Sequence, residues 1–391
     1  MNVDVAIVGA GTAGAALARA LSGLSVALLA QEPLRRRPRA EGLDARVYAI
    51  SPGNAAFLER LGAWQKIPAA RLTPVHAMRV YGDDGRSRLD FDAYRAGVAE
   101  LAWIVEDGLL QDALLAGLEG RDGVRMLAPV ECERIEFGAE RATLELRGGE
   151  KLAARLVVGA DGAASRVRAQ AGIACEERAY GQTAVVANFA CERAHRNVAW
   201  QWFQGGPVLA LLPLGGQHVS MVWSTGEAEA ARLLALDGRA LSREVAAASR
   251  DALGELELVT PARAFALRRL AAQRMVAPRA ALAGDAAHVI HPLAGQGANL
   301  GLQDACALAA VLAQREPFRD PGALRLLRRY ERARAEDVLA MRAMVHGLYR
   351  LFDAGGGLAT RLRNAGLNLT DRIPVIKNVL MRHAMGRAEI R

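Results

Sequence analysis

Three glycines near the start of the chain, Gly9, Gly11 and Gly14, have a spacing that suits nucleotide binding. They follow an apolar run, residues 3–8, typical of a buried strand, and they precede an alanine-rich run, residues 15–21, typical of a helix. In that context Gly9 permits a tight turn, Gly11 lets the backbone approach a pyrophosphate, and Gly14 lets the helix pack closely on the strand. The helix N-terminus then offers N–H groups to the phosphates. The pattern predicts a dinucleotide site, with a ligand-free turn as the alternative, at Gly9, Gly11, Thr12, Ala13 and Gly14.

The second strand, residues 25–29, should be followed by an acidic residue that accepts the ribose hydroxyls, but Ala30 stands there. Glu32 is the candidate for that carboxylate, and a solvated loop glutamate is the alternative. No basic residue ends the strand, so recognition of a 2′-phosphate is not favoured.

Two later segments repeat the pattern of a short apolar strand followed by glycine and aspartate. The second motif, residues 159–168, contains Asp161, and the third motif begins with Gly284 and Asp285 and continues to Asp304. In order and spacing, the three motifs resemble the single-component FAD-dependent aromatic hydroxylases, the group A flavoprotein monooxygenases. Further segments narrow the resemblance to the ubiquinone-biosynthesis hydroxylase family and extend it over nearly the whole chain: residues 44–51, 61–64, 78–81, 104–107, 110–114, 366–369, 373–374 and 384–386.

The resemblance implies FAD as cofactor and assigns roles to individual side chains. Asp285 would accept hydrogen bonds from the ribityl chain, and Arg46 would hold phosphate or ribose oxygens near the flavin. Gln111 would donate to the cofactor from its helix, while Asp161 and Arg168 would help to hold the phosphates. The alternatives are a helix cap for Asp285, a surface salt bridge for Arg46, a solvated helix position for Gln111 and a turn residue for Asp161.

The loop that leads into the helix beginning near Ala298 would run beside the isoalloxazine ring. Backbone N–H groups of Gly297, Ala298 and Asn299 would stabilise negative charge on the reduced ring. No side chain stands out as an essential base. The flavin-loop candidates closest to the chemistry are Pro292, Gly295, Gln296 and Gly297.

Metal binding is not expected. His288 and His291 lie three residues apart, without the cysteine or carboxylate pattern of a metal site, so a structural part in the cofactor loop is favoured and a proton relay is the alternative. The four cysteines are far apart, which argues against a disulfide framework and favours a reducing cytoplasm.

The formal charge of +8 does not by itself indicate nucleic-acid binding, because no recognition motif accompanies it. A solvated surface with some anion-binding arginines is favoured, and weak affinity for an anionic membrane is the second interpretation. The apolar run 5–18 follows Asp4 and contains glycines, so neither a signal peptide nor a membrane span is expected. We expect a cytoplasmic protein, with a peripheral position at the inner membrane as the alternative.

The fold class follows from the order of these segments. We expect an α/β protein with a discontinuous Rossmann-like FAD-binding domain, an interleaved, mainly antiparallel substrate domain and a helical C-terminal tail. Expected elements include a hairpin in 71–101, a helix over 105–118, three strands in 125–160, an antiparallel sheet in 176–270 and a helix over 298–314. The expected domains are 1–70, 102–175 and 276–345 for FAD, 71–101 and 176–275 for substrate, and 346–391 for the tail.

The aromatic residues of the expected substrate sheet are Trp200, Trp202, Phe203, Trp223 and Phe265. A core position is favoured for such a cluster, and the wall of an apolar pocket is the alternative. An apolar substrate would lie between the first four of these residues and the flavin loop.

The resemblance implies that NADPH or NADH reduces the flavin, that O₂ then gives a hydroperoxide at C4a, and that an electron-rich ring takes the distal oxygen. The implied substrate is a polyprenylated phenol or quinol of ubiquinone biosynthesis. The first alternative is a hydroxylase of a soluble aromatic acid or secondary metabolite. The others are a flavin-dependent prenyl reductase and a non-catalytic, FAD-retaining partner in a quinone-synthesis complex.

Overall fold

The structure is a computed structural model that describes residues 1–34, 42–84, 87–290 and 297–353, with side chains described as far as residue 340. Its strands are β1 Asn2–Val8, β2 Val26–Leu29, β3 Val47–Ile50, β4 Thr73–Val75, β5 Ala77–Tyr81, β6 Arg88–Asp92, β7 Ala102–Glu106, β8 Val124–Leu127, β9 Cys132–Phe137, β10 Ala142–Leu146, β11 Lys151–Gly159, β12 Cys175–Cys191, β13 Val198–Phe203, β14 Val208–Leu214, β15 His218–Gly226, β16 Leu256–Leu258, β17 Arg263–Ala272, β18 Val276–Ala277, β19 Ala280–Leu282 and β20 His288–Val289. Its helices are α1 Thr12–Ala20, α2 Pro52–Arg60, α3 Ala93–Ala96, α4 Asp107–Leu115, α5 Arg166–Gln170, α6 Glu227–Ala235, α7 Gly238–Ala248, α8 Gly297–Ala313 and α9 Leu324–Asp353.

A parallel sheet with the order β8-β2-β1-β11-β19 forms the nucleotide half, with β18 added antiparallel at its edge. The central strand β1 is apolar on both faces, as expected of a parallel strand covered by helices, and Ile7 is fully buried between Leu28 of β2 and Val158 of β11. Because β1, β11 and β19 run in the same direction, their carboxyl ends meet at one edge. The three glycine motifs therefore lie side by side, which confirms the α/β fold class.

Helices α1 and α8 approach the sheet through small residues. A Cβ atom added to Gly14 would lie 1.9 Å from the carbonyl oxygen of Gly9, so only glycine allows α1 to pack at this distance. A Cβ atom on Gly301 of α8 would lie 3.2 Å from Cβ of Ala13 and 3.3 Å from Cα of Gly284. The start of α1, the third motif and α8 are thus held at close quarters.

A second sheet, ordered β20-β17-β12-β15-β14-β13-β5-β6, is antiparallel except for the pair β13 and β5. One face is covered by α6 and α7, whose Leu233 and Val245 pack with Trp202 and Trp223 in a buried cluster. The opposite face looks toward the nucleotide half. In addition, β10 pairs with β11 and β9 in the first sheet, β16 pairs with β12 in the second, and β3, β7 and β4 form a small third sheet.

Some local expectations need correction. The segment 125–160 has four strands rather than three, β8 to β11. The helix expected from Val105 begins at Asp107, because Val105 belongs to strand β7, where it pairs with Tyr48 of β3. Residues 227–248, expected as sheet, form α6 and α7, with apolar residues at helical spacing on the buried side. The domain boundaries themselves stay a prediction.

In the described part of the chain, no helix combines the length and apolarity needed to cross a membrane. The C-terminal sequences 366–369, 373–374 and 384–386 lie outside the described residues.

Candidate active site

A cavity of about 910 Å³ extends from the first glycine motif to the inner face of the second sheet. Its first end is formed by backbone and polar side chains, and its second end is formed mainly by aliphatic side chains. The structure brings together at its walls many of the residues predicted from sequence: Gly11, Thr12, Ala13, Arg46, Gln111, Gly284, Asp285, Gly297 and Ala298.

The glycine turn presents the amide end of α1 to this cavity. No side chain caps the helix, and a Cβ atom on Gly11 would meet nothing within 4 Å. Gly9, by contrast, has φ +106°, and its Cβ would lie 2.1 Å from the carbonyl oxygen of Ala160. Gln111 fixes the turn by donating from Nε2 to the carbonyl oxygen of Ala10 at 3.1 Å. An open helix N-terminus behind a glycine is suited to a phosphate group.

Charged side chains lie beside this turn. The Arg46 guanidinium lies 5.3 Å from the ring centre of Tyr48, and its Nη1 is 3.9 Å from Oδ2 of Asp107. Burial raises the pKa of the Tyr48 hydroxyl well above its ordinary value, and the negative charge of Asp107 adds to this effect. The hydroxyl of Tyr48 is therefore a neutral hydrogen-bonding group at physiological pH.

The Asp285 carboxyl is open to the cavity but surrounded by protein on its other sides. This desolvation raises the pKa of Asp285, while the positive charges of Arg46, His288 and Arg268 act in the opposite direction. Asp285 stands in the short 3₁₀ turn Gly284–Ala286 that follows β19. Its position allows the carboxylate to accept hydrogen bonds from a ligand in the cavity.

Asp304 is a functional residue that sequence reasoning missed. It is fully buried in α8, and its Oδ2 accepts from the Gly284 N–H at 2.9 Å. The same oxygen lies 2.8 Å from Nε2 of His288, without hydrogen-bond geometry, while Oδ1 accepts from Nε of Arg334 at 2.8 Å. Burial alone would raise the pKa of Asp304, but the charges of His288 and Arg334, together with the hydrogen bond from Arg334, outweigh it and lower the pKa. The sequence signal was a lone carboxylate inside an otherwise apolar helix.

The Asn299 side chain has a structural role, while the donation of its backbone N–H to the reduced ring stays a prediction. The side chain is buried, with Oδ1 accepting from the Ser51 N–H at 2.9 Å and from Asn54 Nδ2 at 2.8 Å. Its Nδ2 donates to the carbonyl oxygen of Ala49 at 2.7 Å. Asn299 therefore fixes the start of α8 to β3 and α2, while Gly297 and Ala298 line the cavity.

The second motif connects the walls of the cavity. Oδ2 of Asp161 accepts from the Arg166 N–H at 2.8 Å at the start of α5. The buried Arg168 donates from Nη1 to the carbonyl oxygen of Ala286 at 2.9 Å and from Nη2 to that of Ala163 at 2.8 Å. These two side chains hold loops that face the cavity, and their direct contact with phosphates stays a prediction.

Some of the predicted site residues are not found among the described residues that line the cavity. Glu32 is exposed beyond β2 and does not line the cavity. Pro292, Gly295, Gln296 and His291 lie outside the described residues.

The prediction that four aromatic side chains of the second sheet form the wall of the substrate pocket is wrong in part. The register pairs both Trp202 and Trp223 with Leu209, on the face covered by α6 and α7. Phe203 pairs with Val208 on the other face and lines the cavity, as do atoms of Trp200 and Phe265. The apolar end of the cavity is otherwise built from small and aliphatic residues, with one further phenylalanine: Val75, Met78, Val80, Leu89, Phe91, Ala199, Ala210, Leu212 and Val222.

The sequence profile of the family described as "FAD binding domain" matches residues 2–344. The ubiquinone hydroxylase UbiL of Rhodospirillum rubrum is 37% identical over 99% of this chain and 90% of its own length. The 3-demethoxyubiquinol 3-hydroxylase of Escherichia coli is 34% identical over 98% of both chains. Among solved structures, pqsL, a probable FAD-dependent monooxygenase from Pseudomonas aeruginosa, superposes with a TM-score of 0.76 at 27% identity, covering 94% of this chain and 99% of that one.

Replacing Asp304 by Asn should lower the free energy of unfolding by about 3–5 kcal/mol, because it leaves the buried Arg334 and His288 without their carboxylate. Denaturant unfolding measures this change. The matched control is Asp337→Asn, since Asp337 accepts from Nη1 of the same arginine at 2.8 Å but has a side chain 38% exposed. The Asp337→Asn control should lower the free energy of unfolding by less than about 1 kcal/mol. Equal losses from the two variants would contradict the assignment.

The same carboxylate predicts an acid dependence. The pKa of Asp304 is lower in the folded protein than in the unfolded chain, so folding is favoured by ionisation. Its contribution is complete above the unfolded value of about 3.9 and is lost as the pH falls through the lower folded value. The stability of the wild type should therefore decrease more steeply below about pH 4 than that of Asp304→Asn.

Proposed function

The chain belongs to the FAD-binding-domain family of flavoprotein hydroxylases, and on that premise we propose that it is an FAD-dependent monooxygenase that hydroxylates a polyprenylated phenol or quinol in ubiquinone biosynthesis. The observation that carries the proposal is the continuity of one cavity between two chemically different ends. A helix N-terminus, Arg46 and Asp285 form the first end, and aliphatic side chains of the second sheet form the other. A cofactor ring and an apolar substrate can therefore meet inside one enclosure.

The residues at the first end fit FAD. The open space in front of Gly11 is the cradle that a pyrophosphate needs, and a side chain there would fill it. Gly11, Thr12 and Ala13 would hold the pyrophosphate, Asp285 the ribityl hydroxyls, and Arg46 with Gln111 the adjoining phosphate or ribose oxygens. When bound, FAD supplies two-electron redox chemistry, with NADPH or NADH as hydride donor and O₂ as the source of the transferred oxygen.

The protein contributes orientation and electrostatics. Because α8 begins at Gly297 at the cavity wall, the N–H groups of Gly297 and Ala298 and the positive end of the helix dipole stabilise negative charge beside them. The aliphatic chamber excludes water from the place where the aromatic ring lies. No described side chain is assigned as an essential base.

The distribution of charge favours a neutral substrate. Arg46 lies near Asp107, and Asp285 lies in the field of both Arg46 and Arg268. The lining residues contributed by β5, β6, β13, β14 and β15 include no charged side chain, and Arg268 of β17 lies in the field of Asp285 instead, whereas a soluble aromatic acid would need a cation for its carboxylate. The charged residues that line the described cavity thus belong to one group at the nucleotide end: Arg46, Asp107, Arg268 and Asp285.

The proposal extends to partners and domains. The net charge of +8 supports contact with an anionic membrane surface, or with an assembly of quinone-synthesis enzymes, from which an apolar substrate would be taken. The parallel sheet supports residues 1–70, 102–175 and 276–345 as the FAD-binding domain. The second sheet supports 71–101 and 176–275 as the substrate domain, while the tail 346–391 is proposed from sequence alone.

Asp285→Ala should weaken FAD binding roughly 10- to 150-fold, because it removes about 1.5–3 kcal/mol of charge-assisted hydrogen bonding to the ribityl hydroxyls. Titration of apoprotein with FAD, followed by flavin fluorescence, measures the change. Unchanged affinity would contradict the role of Asp285.

Two glycine variants provide controls for that titration. Gly11→Val should abolish FAD binding while the apoprotein stays folded, since its side chain enters open space. Gly14→Ala should instead destabilise the apoprotein, since its Cβ would lie 1.9 Å from the Gly9 carbonyl oxygen.

A prenylated phenol should be hydroxylated with tighter coupling to NADPH oxidation than 4-hydroxybenzoate. Each buried CH₂ of the prenyl chain contributes about 0.8 kcal/mol of binding in the aliphatic chamber. The measurement is hydroxylated product, and released peroxide, per NADPH for the two compounds. Better coupling with the soluble acid would replace the proposal by the hydroxylase of soluble aromatics.

A further inference from the structure

One polar side chain lies in the middle of the apolar wall. Gln201 is in β13 and is only 6% exposed, yet it lines the cavity. The register pairs it with Ala210 of β14 on one side and with Val80 of β5 on the other. Ala210 in turn pairs with Val222, so the amide's neighbours in this row of the sheet, Val80, Ala210 and Val222, are all aliphatic.

The Gln201 side chain makes no hydrogen bond to any residue that the structure describes, in contrast to Gln111 and Gln204. Gln111 donates to the carbonyl oxygen of Ala10 at 3.1 Å, and Gln204 donates to that of Ala248 at 3.2 Å. The Gln201 amide opens into the cavity and is not sealed inside the protein, so an occupant of the cavity is what can pair with it.

Ser224 also lines this face, in the row of Val208 and Phe203, and its hydroxyl has no partner among the described residues either. Its short side chain keeps the hydroxyl close to the backbone of β15, whereas the longer amide of Gln201 carries a donor and an acceptor further from the wall. The chemistry that satisfies both is a group that also donates and accepts. A hydroxyl on an aromatic ring is such a group.

We propose that Gln201 is the specificity-determining residue of the substrate chamber and that its amide hydrogen-bonds a phenolic or quinol oxygen of the ring. The inference rests on the proposed function, since it takes the occupant of the chamber to be an apolar ring with a hydroxyl group. Oε1 accepts from the ring hydroxyl, or Nε2 donates to its oxygen. This single polar contact fixes the rotation of the ring in an otherwise aliphatic chamber, and so selects the carbon that faces the cofactor.

The test compares two ligands that differ by one oxygen, 2-geranylphenol and geranylbenzene, with the FAD-loaded enzyme in its oxidised form and without NADPH. Binding is measured by calorimetry and by the change in the flavin absorption spectrum. The wild type should bind the phenol roughly 5- to 150-fold more tightly, because the hydrocarbon leaves the buried amide unpaired. In Gln201→Leu, which removes the amide at similar volume, the two affinities should agree within about twofold, chiefly through tighter binding of geranylbenzene.

The control is Val222→Ile, which adds one methylene group to the same face and leaves its polarity unchanged. The affinities for both ligands should change together, so their ratio should stay that of the wild type. Gln201→Asn keeps a shorter amide and should retain part of the preference for 2-geranylphenol over geranylbenzene that Gln201→Leu loses. Gln201→Met, unbranched and without an amide, provides the same test as Gln201→Leu if the leucine variant does not fold.

The product distribution gives a second readout. With 2-geranylphenol, NADPH and O₂, the wild type should add oxygen at one ring position, and Gln201→Leu should give a mixture. The role of Gln201 would be overturned if Gln201→Leu and Gln201→Met both kept the wild-type ratio of the two affinities and both gave a single product. That result would leave the proposed function intact. If the wild type bound neither geranyl compound but bound 4-hydroxybenzoate, the proposed function itself would be overturned.

Discussion

The buried carboxylate of Asp304 is the interaction on which the geometry of the site depends. It joins the Gly284 N–H, the ring of His288 and the guanidinium of Arg334, and thereby connects the turn after β19 with α8 and α9. Asp285 is the next residue in that turn, so its direction into the cavity follows from a contact behind it. A buried charge with this set of partners also resists rearrangement, because losing any one of them leaves a desolvated ion.

Around this point, small residues decide how closely the elements approach. Gly14 lets α1 approach the first turn at a distance that no side chain permits, and at Gly284 and Gly301 an added Cβ atom would be crowded against Ala13 at 3.2 Å. Asn299 then fixes the start of α8 to β3 and α2. The cofactor end is therefore rigid and polar. The substrate end has a different character, because the second sheet offers an aliphatic face with a single central amide. This division lets one cavity hold a charged nucleotide and an apolar ring without mixing their requirements.

The parts of this arrangement that depend on local sterics could be predicted from sequence. The glycine turn needs glycine at particular positions, and the start of α8 was expected at Ala298 and lies at Gly297. Long-range partnerships could not be predicted in the same way. Nothing near Asp304 in the sequence identifies Arg334 as its partner.

The positions of Trp202 and Trp223 show a second limit. Alternation along a strand shows which residues share a face, but the face that is covered depends on α6 and α7, which were not expected. The unpaired amide of Gln201 likewise becomes apparent only when the register places it between Ala210 and Val80.

Within this cavity, the proposed reaction transfers one atom of O₂ to a prenylated ring. The most direct test is turnover of 2-geranylphenol with NADPH under ¹⁸O₂ in unlabelled water, with the product analysed by mass spectrometry. We expect a hydroxylated product that carries one ¹⁸O atom. A newly introduced hydroxyl group without ¹⁸O, or a product reduced in the prenyl chain with no added oxygen, would contradict the proposed reaction.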